Sequence, residues 1–465
     1  MATVRSPVTT AAPGPRAGLV ERRFRVAERG STVRREVLGG AATFLTMSYI
    51  LFVNPAILSA AGLPFAAVAV ATALAAAVAT AAMGLVANYP FAIAAGLGIN
   101  AVVAFDIVLG RELPWPVGMA AVVVEGLIAL VLVLAGLRQA VMRAIPLSLK
   151  LAIGVGIGLF ITLVGLREGG IVVNNPATGI GLGDLASGPA LVTLGGLLVA
   201  AVLVARGARG AVLAGIAASV ALGLVFGVLQ GPQGIVDLPT TADLSTIGDA
   251  LAPANLAAVF SFALVPVVFA LFMTDFFDTL GTVVAIGKGG DMLDERGELP
   301  GVQRVLLVDS AAAAFGGAMG VSSNTTYIES GAGVSEGART GLASLVTAAL
   351  FLLSILFVPV IALAGQGVEV APDVFIHPGV ASALVMIGFL MIRFAGEIEW
   401  ERVEDGLPAF LVIAGIPLTF SIAAGIGLGF IAYVVVMVAR GRAGEVHPLM
   451  YGTLPFFVLF FVAGG

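Results

Sequence analysis

Apolar runs of about 20 residues follow one another along this chain, and they constrain its fold more than any other feature. A helix of about 20 apolar residues crosses the hydrocarbon core of a bilayer, whereas a transmembrane strand shows about ten residues of alternating polarity. Hydrophobic residues make up 59% of the 465 residues and charged residues only 11%, a composition outside the range of soluble domains. The sequence therefore predicts an all-α polytopic membrane protein.

Fourteen apolar spans are predicted, several of them short or interrupted by glycine. With the N-terminus placed in the cytoplasm, all of the 23 Lys and Arg residues except Arg111 and Arg167 fall on the cytoplasmic side, as the positive-inside rule requires. The end of the last span is then cytoplasmic too, and the protein is expected in the cell membrane. The spans are 38–60, 66–87, 91–109, 117–137, 146–166, 188–205, 209–230, 255–286, 302–320, 322–335, 339–364, 374–396, 407–421 and 422–440.

Three segments lie outside these spans. Residues 1–36 contain Arg, Pro and Gly without an apolar core, which predicts a disordered cytoplasmic tail and not a signal peptide. Residues 231–254 form a polar extracellular loop at the middle of the chain. Residues 443–465 include an apolar stretch that is short for a span, so we expect an interfacial or docked helix there, and a fifteenth crossing remains open.

The fourteen spans divide into seven and seven at the central loop. An odd number in each half forces the halves into opposite orientations, which is the inverted repeat of many secondary transporters. The third span of each half is irregular, since residues 89–100 and 320–329 each begin extended and glycine-rich or polar before becoming helical. Interrupted spans at matching positions indicate a binding site near the membrane midplane.

Two carboxylates lie in the eighth span, where a charge costs about 2.5–3.5 kcal/mol on insertion scales. Asp275 and Asp278 are three residues apart, so both can face one side of a helix. Phe276 lies between them, and an aromatic face beside carboxylates suits a flat heterocycle whose N–H groups meet carboxylate oxygens. Ordinary packing remains the alternative for any single ring in a chain with 27 Phe.

The irregular spans add two further candidates. Glu329 follows a polar stretch whose unwound backbone is tolerated at membrane depth only where it lines a cavity or binds a ligand. Asn100 ends the glycine-rich Gly96-Leu-Gly-Ile-Asn100, and its amide offers a donor and an acceptor to a base edge. A helix cap is the alternative role for Asn100.

Three more acids lie within apolar spans. For Glu125 and Asp309 we favour structural pairing with an Arg or a backbone or hydroxyl partner. Asp106 lies six residues past Asn100, and the sequence does not decide between the substrate pathway and the outer mouth.

Several functional classes find no support in the residues. The chain contains no Cys and only two His, which are far apart, so neither a disulfide nor a metal site is predicted. The stretch from Gly281 to Lys288 lacks the spacing of a phosphate-binding loop. With no nucleophile–base pair, an enzyme is disfavoured, no cofactor is expected, and the partners are a small molecule and the lipid bilayer, not nucleic acid.

Four motifs resemble those of the AzgA-like adenine/guanine/hypoxanthine permeases, which belong to the nucleobase:cation symporters with the uracil-permease fold. The resemblance covers residues 30–455. It is carried by Phe276-Phe-Asp-Thr-Leu-Gly281, Asn324-Thr-Thr-Tyr-Ile-Glu-Ser330, Gly333-Val-Ser-Glu-Gly-Ala-Arg-Thr-Gly341 and His447-Pro-Leu-Met-Tyr451.

The resemblance implies two structural units. Spans 1–4 and 8–11, residues 37–137 and 255–365, would form a core with half-helices in spans 3 and 10. Spans 5–7 and 12–14, residues 138–230 and 366–442, would form a gate, and relatives of this fold often dimerise through gate helices.

The resemblance also implies a purine site. Asp275 and Glu329 would bind the substrate, with Asp278 and Asn100 as accessory residues and Phe276 and Thr279 beside them. Thr279 stands where wider relatives have a His, so a His-based proton relay is absent. Phe105-Asp106 also departs from the Tyr-Thr of the family pattern.

The expected function is import of a neutral purine base with a proton. A carboxylate removed from water prefers its neutral form, so a proton and a base can be carried together. We favour Glu329 over Asp275 as the proton-linked group, and Na⁺ remains open as the coupling ion. The alternatives are an anion exchanger of the same fold and a uracil or xanthine permease; a channel would show a polar stripe along several helices instead of one cluster.

Overall fold

The structure, a computed structural model, describes residues 18–136, 144–232, 234–261, 264–294, 299–371 and 374–462. Within these ranges, eight helices are long and apolar enough to cross a membrane, which confirms the prediction of a helical membrane protein. The count of fourteen spans stays a prediction. The eight helices are Val33–Ser59, Phe65–Ala87, Trp115–Leu134, Leu147–Glu168, Gly188–Ala205, Gly341–Ala364, Pro378–Glu397 and Ile422–Ala439.

Further helices lie before, between and after these eight. Their bounds are Leu19–Phe24, Leu97–Gly110, Ala211–Val225, Pro253–Val259, Val265–Gly289, Val302–Ala318, Ser330–Ser335, Val403–Thr419 and Pro448–Val462. We call Val265–Gly289 the acidic helix, because Asp275 and Asp278 belong to it. The last of them packs along Ile422–Ala439, with Phe457 buried against Phe430, so residues 448–462 form a docked helix.

Two short buried strands, one from each half of the chain, pair with each other. Ile93–Ala95 pairs antiparallel with Asn324–Thr326, and Ala94 lies opposite Thr325. Each strand is followed by a helix, Leu97–Gly110 in the first half and Ser330–Ser335 in the second. The two irregular stretches of the sequence therefore meet in space, and we call this pair the strand crossing.

Two further antiparallel pairs were not predicted. Val172–Asn175 pairs with Gly179–Leu182, and Val368–Ala371 pairs with Val374–Ile376. The second pair uses the first residues of the predicted span 374–396, whose helix begins only at Pro378. Proline disfavours helical backbone in the residue before it, which accounts for the late start.

The segment predicted as a disordered tail, 1–36, is ordered from residue 18, so that prediction is wrong for its described part. Phe24 and Val26 are buried. Arg29 donates a hydrogen bond of 2.6 Å to the Asn88 carbonyl, and Ser31 donates one of 2.8 Å to the Gly337 carbonyl. These contacts hold the segment against the helices, whereas residues 1–17 lie outside the described ranges.

Close helix packing depends on glycine at a few contacts. A Cβ at Gly341 would lie 2.0 Å from the Gly84 carbonyl oxygen, and a Cβ at Gly126 would lie 2.3 Å from the Ala314 backbone nitrogen. Small residues let membrane helices approach to backbone contact. Trp115–Leu134 and Val302–Ala318 pack tightly together, the acidic helix packs against the first of them, and the paired strands pack against the second.

Candidate functional site

Asp309 anchors the second strand of the crossing. Its carboxylate is fully buried and accepts hydrogen bonds from the Thr326 amide at 2.9 Å, the Thr326 hydroxyl at 2.8 Å and the Thr279 hydroxyl at 2.6 Å. These partners are hydroxyls and a backbone amide, the kind expected from the sequence. Asp309 thus fixes the strand between Val302–Ala318 and the acidic helix.

Thr279 lies inside this anchor. Besides its bond to Asp309, its hydroxyl shares a hydrogen bond of 2.9 Å with the Thr325 hydroxyl. The predicted substrate contact by Thr279 stays a prediction, because in this structure the hydroxyl holds the acidic helix to the strand.

Asp275 faces the residue just before the same strand. The Ser323 hydroxyl donates a hydrogen bond of 2.9 Å to Asp275 Oδ1, and Asp275 is 1% exposed. The Ser323 carbonyl in turn accepts a bond of 2.7 Å from the Gly96 amide. Glycine permits this close approach, since a Cβ at Gly96 would lie 3.0 Å from Thr325 Cγ2. Asp275 therefore lies beside both irregular segments.

Glu329 lies at the end of the second irregular segment, directly before helix Ser330–Ser335. The Tyr49 hydroxyl donates a hydrogen bond of 2.6 Å to its Oε1. The Arg393 guanidinium also acts electrostatically on this carboxylate. Glu329 is thus held by Tyr49 of the first span, and the charge that acts on it belongs to Arg393, the residue that follows helix Pro378–Ile392.

Asn100 lies in the helix after the first strand and is fully buried. Its Nδ2 donates a hydrogen bond of 2.6 Å to Asn54 Oδ1. Within the described residues its Oδ1 has no hydrogen-bond partner, and the same holds for both amide atoms of Asn324. The crossing therefore contains buried polar atoms that a ligand can satisfy.

The structure gathers most of the predicted site residues around the strand crossing. Asp275 and Thr279 contact residues 323 and 325, and Glu329 ends the same segment. Phe276 is fully buried, with its ring centroid 5.3 Å from that of Phe272. The side chain of Asp278 lies outside the described part of the structure.

Sequence reasoning missed Tyr49, Asn54 and Ser323. Asn54 is a lone amide within the apolar stretch from Ile50 to Ser59, so the cost of a polar group at membrane depth was a usable signal. Tyr49 carried no comparable signal, because a tyrosine beside an apolar run is ordinary.

The sequence also singled out two other buried acids, Asp106 and Glu125. Asp106 forms an ion pair of 3.0 Å with Arg111 and accepts a hydrogen bond from Ser421. Ser421 caps helix Ile422–Ala439, so Asp106 joins the third predicted span to the last. Glu125 is fully buried in Trp115–Leu134.

Residues 34–428 match the model of the Permease family. The guanine/hypoxanthine permease PbuG of Bacillus subtilis is 41% identical over 449 residues, covering 94% of this chain and 98% of its own. The adenine permease AdeP of Escherichia coli is 38% identical over 444 residues, covering 95% of this chain and 96% of its own.

Solved structures show the same fold at low identity. The transmembrane domain of the cyanobacterial bicarbonate transporter BicA superposes with a TM-score of 0.60 at 15% identity, covering 84% of this chain and 97% of that domain. The murine Slc26a9 anion transporter, in the inward-facing state, gives 0.60 at 11% identity, covering 88% of this chain and 69% of its own.

Proposed function

The chain belongs to the Permease family, and on that premise we propose that it carries purine nucleobases across the cell membrane. The observation that carries the proposal is the end-to-end similarity to permeases of adenine and of guanine/hypoxanthine. The protein is a transporter and not an enzyme.

The chemistry of the strand crossing fits such a substrate. Asp275, Glu329 and the side-chain carbonyl of Asn100, which has no hydrogen-bond partner among the described residues, are hydrogen-bond acceptors. A purine offers N–H donors along its edges. Phe272 and Phe276 lie one turn apart on the acidic helix, which also holds Asp275, and they add aromatic surface to it. A flat base with several N–H groups satisfies acceptors of this kind, while an anion meets repulsion from the carboxylates.

Exchange of anions is the second candidate, because the solved structures of this fold named above are anion transporters. Anion binding draws on cationic side chains and helix N-termini. Among the described residues, the hydroxyl groups of Tyr49, Ser323, Thr279 and Thr326 donate hydrogen bonds to the acids at the crossing. These donors are neutral, and the Arg393 guanidinium acts electrostatically on Glu329. We therefore favour the purine.

Uptake by the purified protein in proteoliposomes tests the function. We expect accumulation of radiolabelled hypoxanthine that excess unlabelled adenine, guanine or hypoxanthine abolishes, while uracil, xanthine and sulfate leave it unchanged. Empty liposomes are the control. Inhibition by sulfate alone would favour the anion exchanger, and inhibition by uracil or xanthine would favour a pyrimidine or xanthine permease.

We propose alternating access between the predicted core, residues 37–137 and 255–365, and the predicted gate, residues 138–230 and 366–442. Arg209 of the gate forms an ion pair with Glu336 of the core. Ser421 of the gate donates to Asp106 of the core. In the proposed topology these contacts lie at the cytoplasmic and the outer face, so the buried acids become accessible when one of the two contacts separates.

The proposed topology has fourteen spans in two inverted halves, half-helices in spans 3 and 10, and a cytoplasmic N-terminus. The final helix then runs from the cytoplasmic face toward the outer face, because the Arg111 guanidinium lies 5.1 Å from the Phe460 ring centroid and Arg111 is placed outside. This supports a helix that inserts beside the last span and does not lie flat on the cytoplasmic surface.

Labelling of single cysteines tests this topology, since the native chain contains none. In intact cells, a membrane-impermeant maleimide is expected to label Leu238→Cys in the central loop. It is expected to label Ala208→Cys only after the cells are opened. Both positions are exposed. Labelling of Ala208→Cys in intact cells would contradict the assigned orientation.

A further inference from the structure

We propose that Asn54 is a positioning residue that sets which polar atom Asn100 presents to the substrate. Asn54 would hold the Asn100 amide so that its carbonyl oxygen, and not its NH₂ group, meets the purine. The inference rests on the proposed function, because it assigns a selectivity to the same site.

A chain of hydrogen bonds runs from the second span through the first to Asn100. Thr72 Oγ1 donates to the Val68 carbonyl at 2.6 Å. Asn54 Nδ2 donates to Thr72 Oγ1 at 2.8 Å and to the Val321 carbonyl at 3.2 Å. Asn54 Oδ1 then accepts from Asn100 Nδ2 at 2.6 Å.

The direction of this chain is fixed at both of its backbone ends. An asparagine amide has two orientations that only its hydrogen-bond partners distinguish. The carbonyls of Val68 and Val321 accept and never donate, so Thr72 must donate to the first and the Asn54 NH₂ group must face the second. Asn54 Oδ1 therefore faces Asn100, and only the NH₂ group of Asn100 suits it.

Because the Asn100 NH₂ group faces Asn54, the side-chain oxygen of Asn100 is left as an acceptor that has no partner among the described residues. Asn54, Asn100 and Thr72 are at most 1% exposed, and within the described residues Asn100 Oδ1 accepts no hydrogen bond. A buried acceptor left unsatisfied is costly, so a ligand N–H that reaches it is favoured strongly over a ligand that places a methyl group there. Val321 directly precedes Ser322 and Ser323, so the same relay ties Asn100 to the segment that contacts Asp275.

Singly N-methylated hypoxanthines test this selectivity. The inhibition constants of the 1-, 3-, 7- and 9-methyl compounds against hypoxanthine uptake are measured in proteoliposomes and expressed relative to hypoxanthine. We expect Asn100→Ala to lower the discrimination against one of the four by about tenfold or more. Asn54→Leu, which keeps the branching of the side chain but removes both of its polar atoms, is expected to lower the discrimination against that same compound and to leave the other three ratios unchanged.

Two further variants separate positioning from structural support. The carboxyl group introduced by Asn54→Asp, when protonated, can accept from Asn100 and donate to the Val321 carbonyl, so this variant is expected to restore the wild-type ratio. In the Asn100→Ala background, Asn54→Leu is expected to change no ratio further, as for two residues acting through one contact. If Asn54→Leu does not fold, Thr72→Val, which removes one link of the relay, is expected to give a smaller shift for the same compound.

Other results overturn the inference. An Asn54→Leu profile identical to the wild type, or a uniform weakening of all four compounds, would make the relay purely structural. Wild-type protein that takes up no purine would remove the proposed function and this inference with it. Wild-type uptake with no effect of Asn54→Leu on any ratio would remove this inference alone.

Discussion

Asp275→Asn is expected to reduce the initial rate of hypoxanthine uptake by about 100-fold. A hydrogen bond to a charged group contributes about 1.5–3 kcal/mol, and the amide that replaces the carboxylate presents only one acceptor to the substrate and to Ser323. The side chain keeps its volume, so the buried packing around it, 1% exposed in the native protein, should survive. Uptake is measured in proteoliposomes at equal protein content.

The same change at a surface aspartate gives the control. Asp237 lies exposed in the central loop, where its carboxylate accepts a bond from the Leu238 amide, so Asp237→Asn should transport as the wild type does. Ser323→Ala removes one donor to Asp275 and should lower uptake by about tenfold. Wild-type rates in Asp275→Asn would mean that the purine binds elsewhere.

The acidic helix was predictable from sequence because charge at membrane depth is expensive. That argument picked out Asp275 within an apolar run, and the interrupted third span of each half picked out Asn100 and Glu329. The structure then supplied what periodicity cannot, namely the contacts between segments. Glu329 bonds to a tyrosine 280 positions earlier and Asn100 to an amide 46 positions earlier, and no local pattern encodes such pairs.

Short elements were predictable only in part. The strand crossing consists of two strands of three residues each, too short for an alternating pattern of polarity to be recognised. The sequence indicated extended backbone there but not the pairing of Ala94 with Thr325. The structural role favoured for Asp309 fits its position, but its three bonds to Thr279 and Thr326 depend on the tertiary packing of the acidic helix.

Glu329→Gln is expected to separate binding from energy coupling. Glutamine resembles the protonated acid in shape and charge but cannot release a proton, so the variant should exchange labelled for unlabelled hypoxanthine and yet fail to accumulate it. A potential of 100 mV supplies about 2.3 kcal/mol per charge, or roughly 45-fold accumulation by the wild type for one proton per base. In the variant, the ratio of the hypoxanthine concentration inside to that outside should stay near one, because a neutral base that moves without a proton gains nothing from the potential.

Exchange and accumulation must therefore be measured on the same proteoliposomes. Counterflow without a gradient reports binding and movement of core against gate, and uptake under an imposed proton gradient or potential reports coupling. Tyr49→Phe removes the 2.6 Å bond to Glu329 and should slow both processes about tenfold. Tyr451→Phe is its control, because the Tyr451 hydroxyl bonds to Ala443 near the final helix, and it should slow neither process.

Glu369→Gln is the matched control for Glu329→Gln, because Glu369 is exposed in the hairpin after residue 367. If accumulation by Glu329→Gln still follows the proton gradient, another group carries the proton, and Asp275 is the next to test. If accumulation by the wild type follows only a Na⁺ gradient, Na⁺ is the coupling ion in place of the proton.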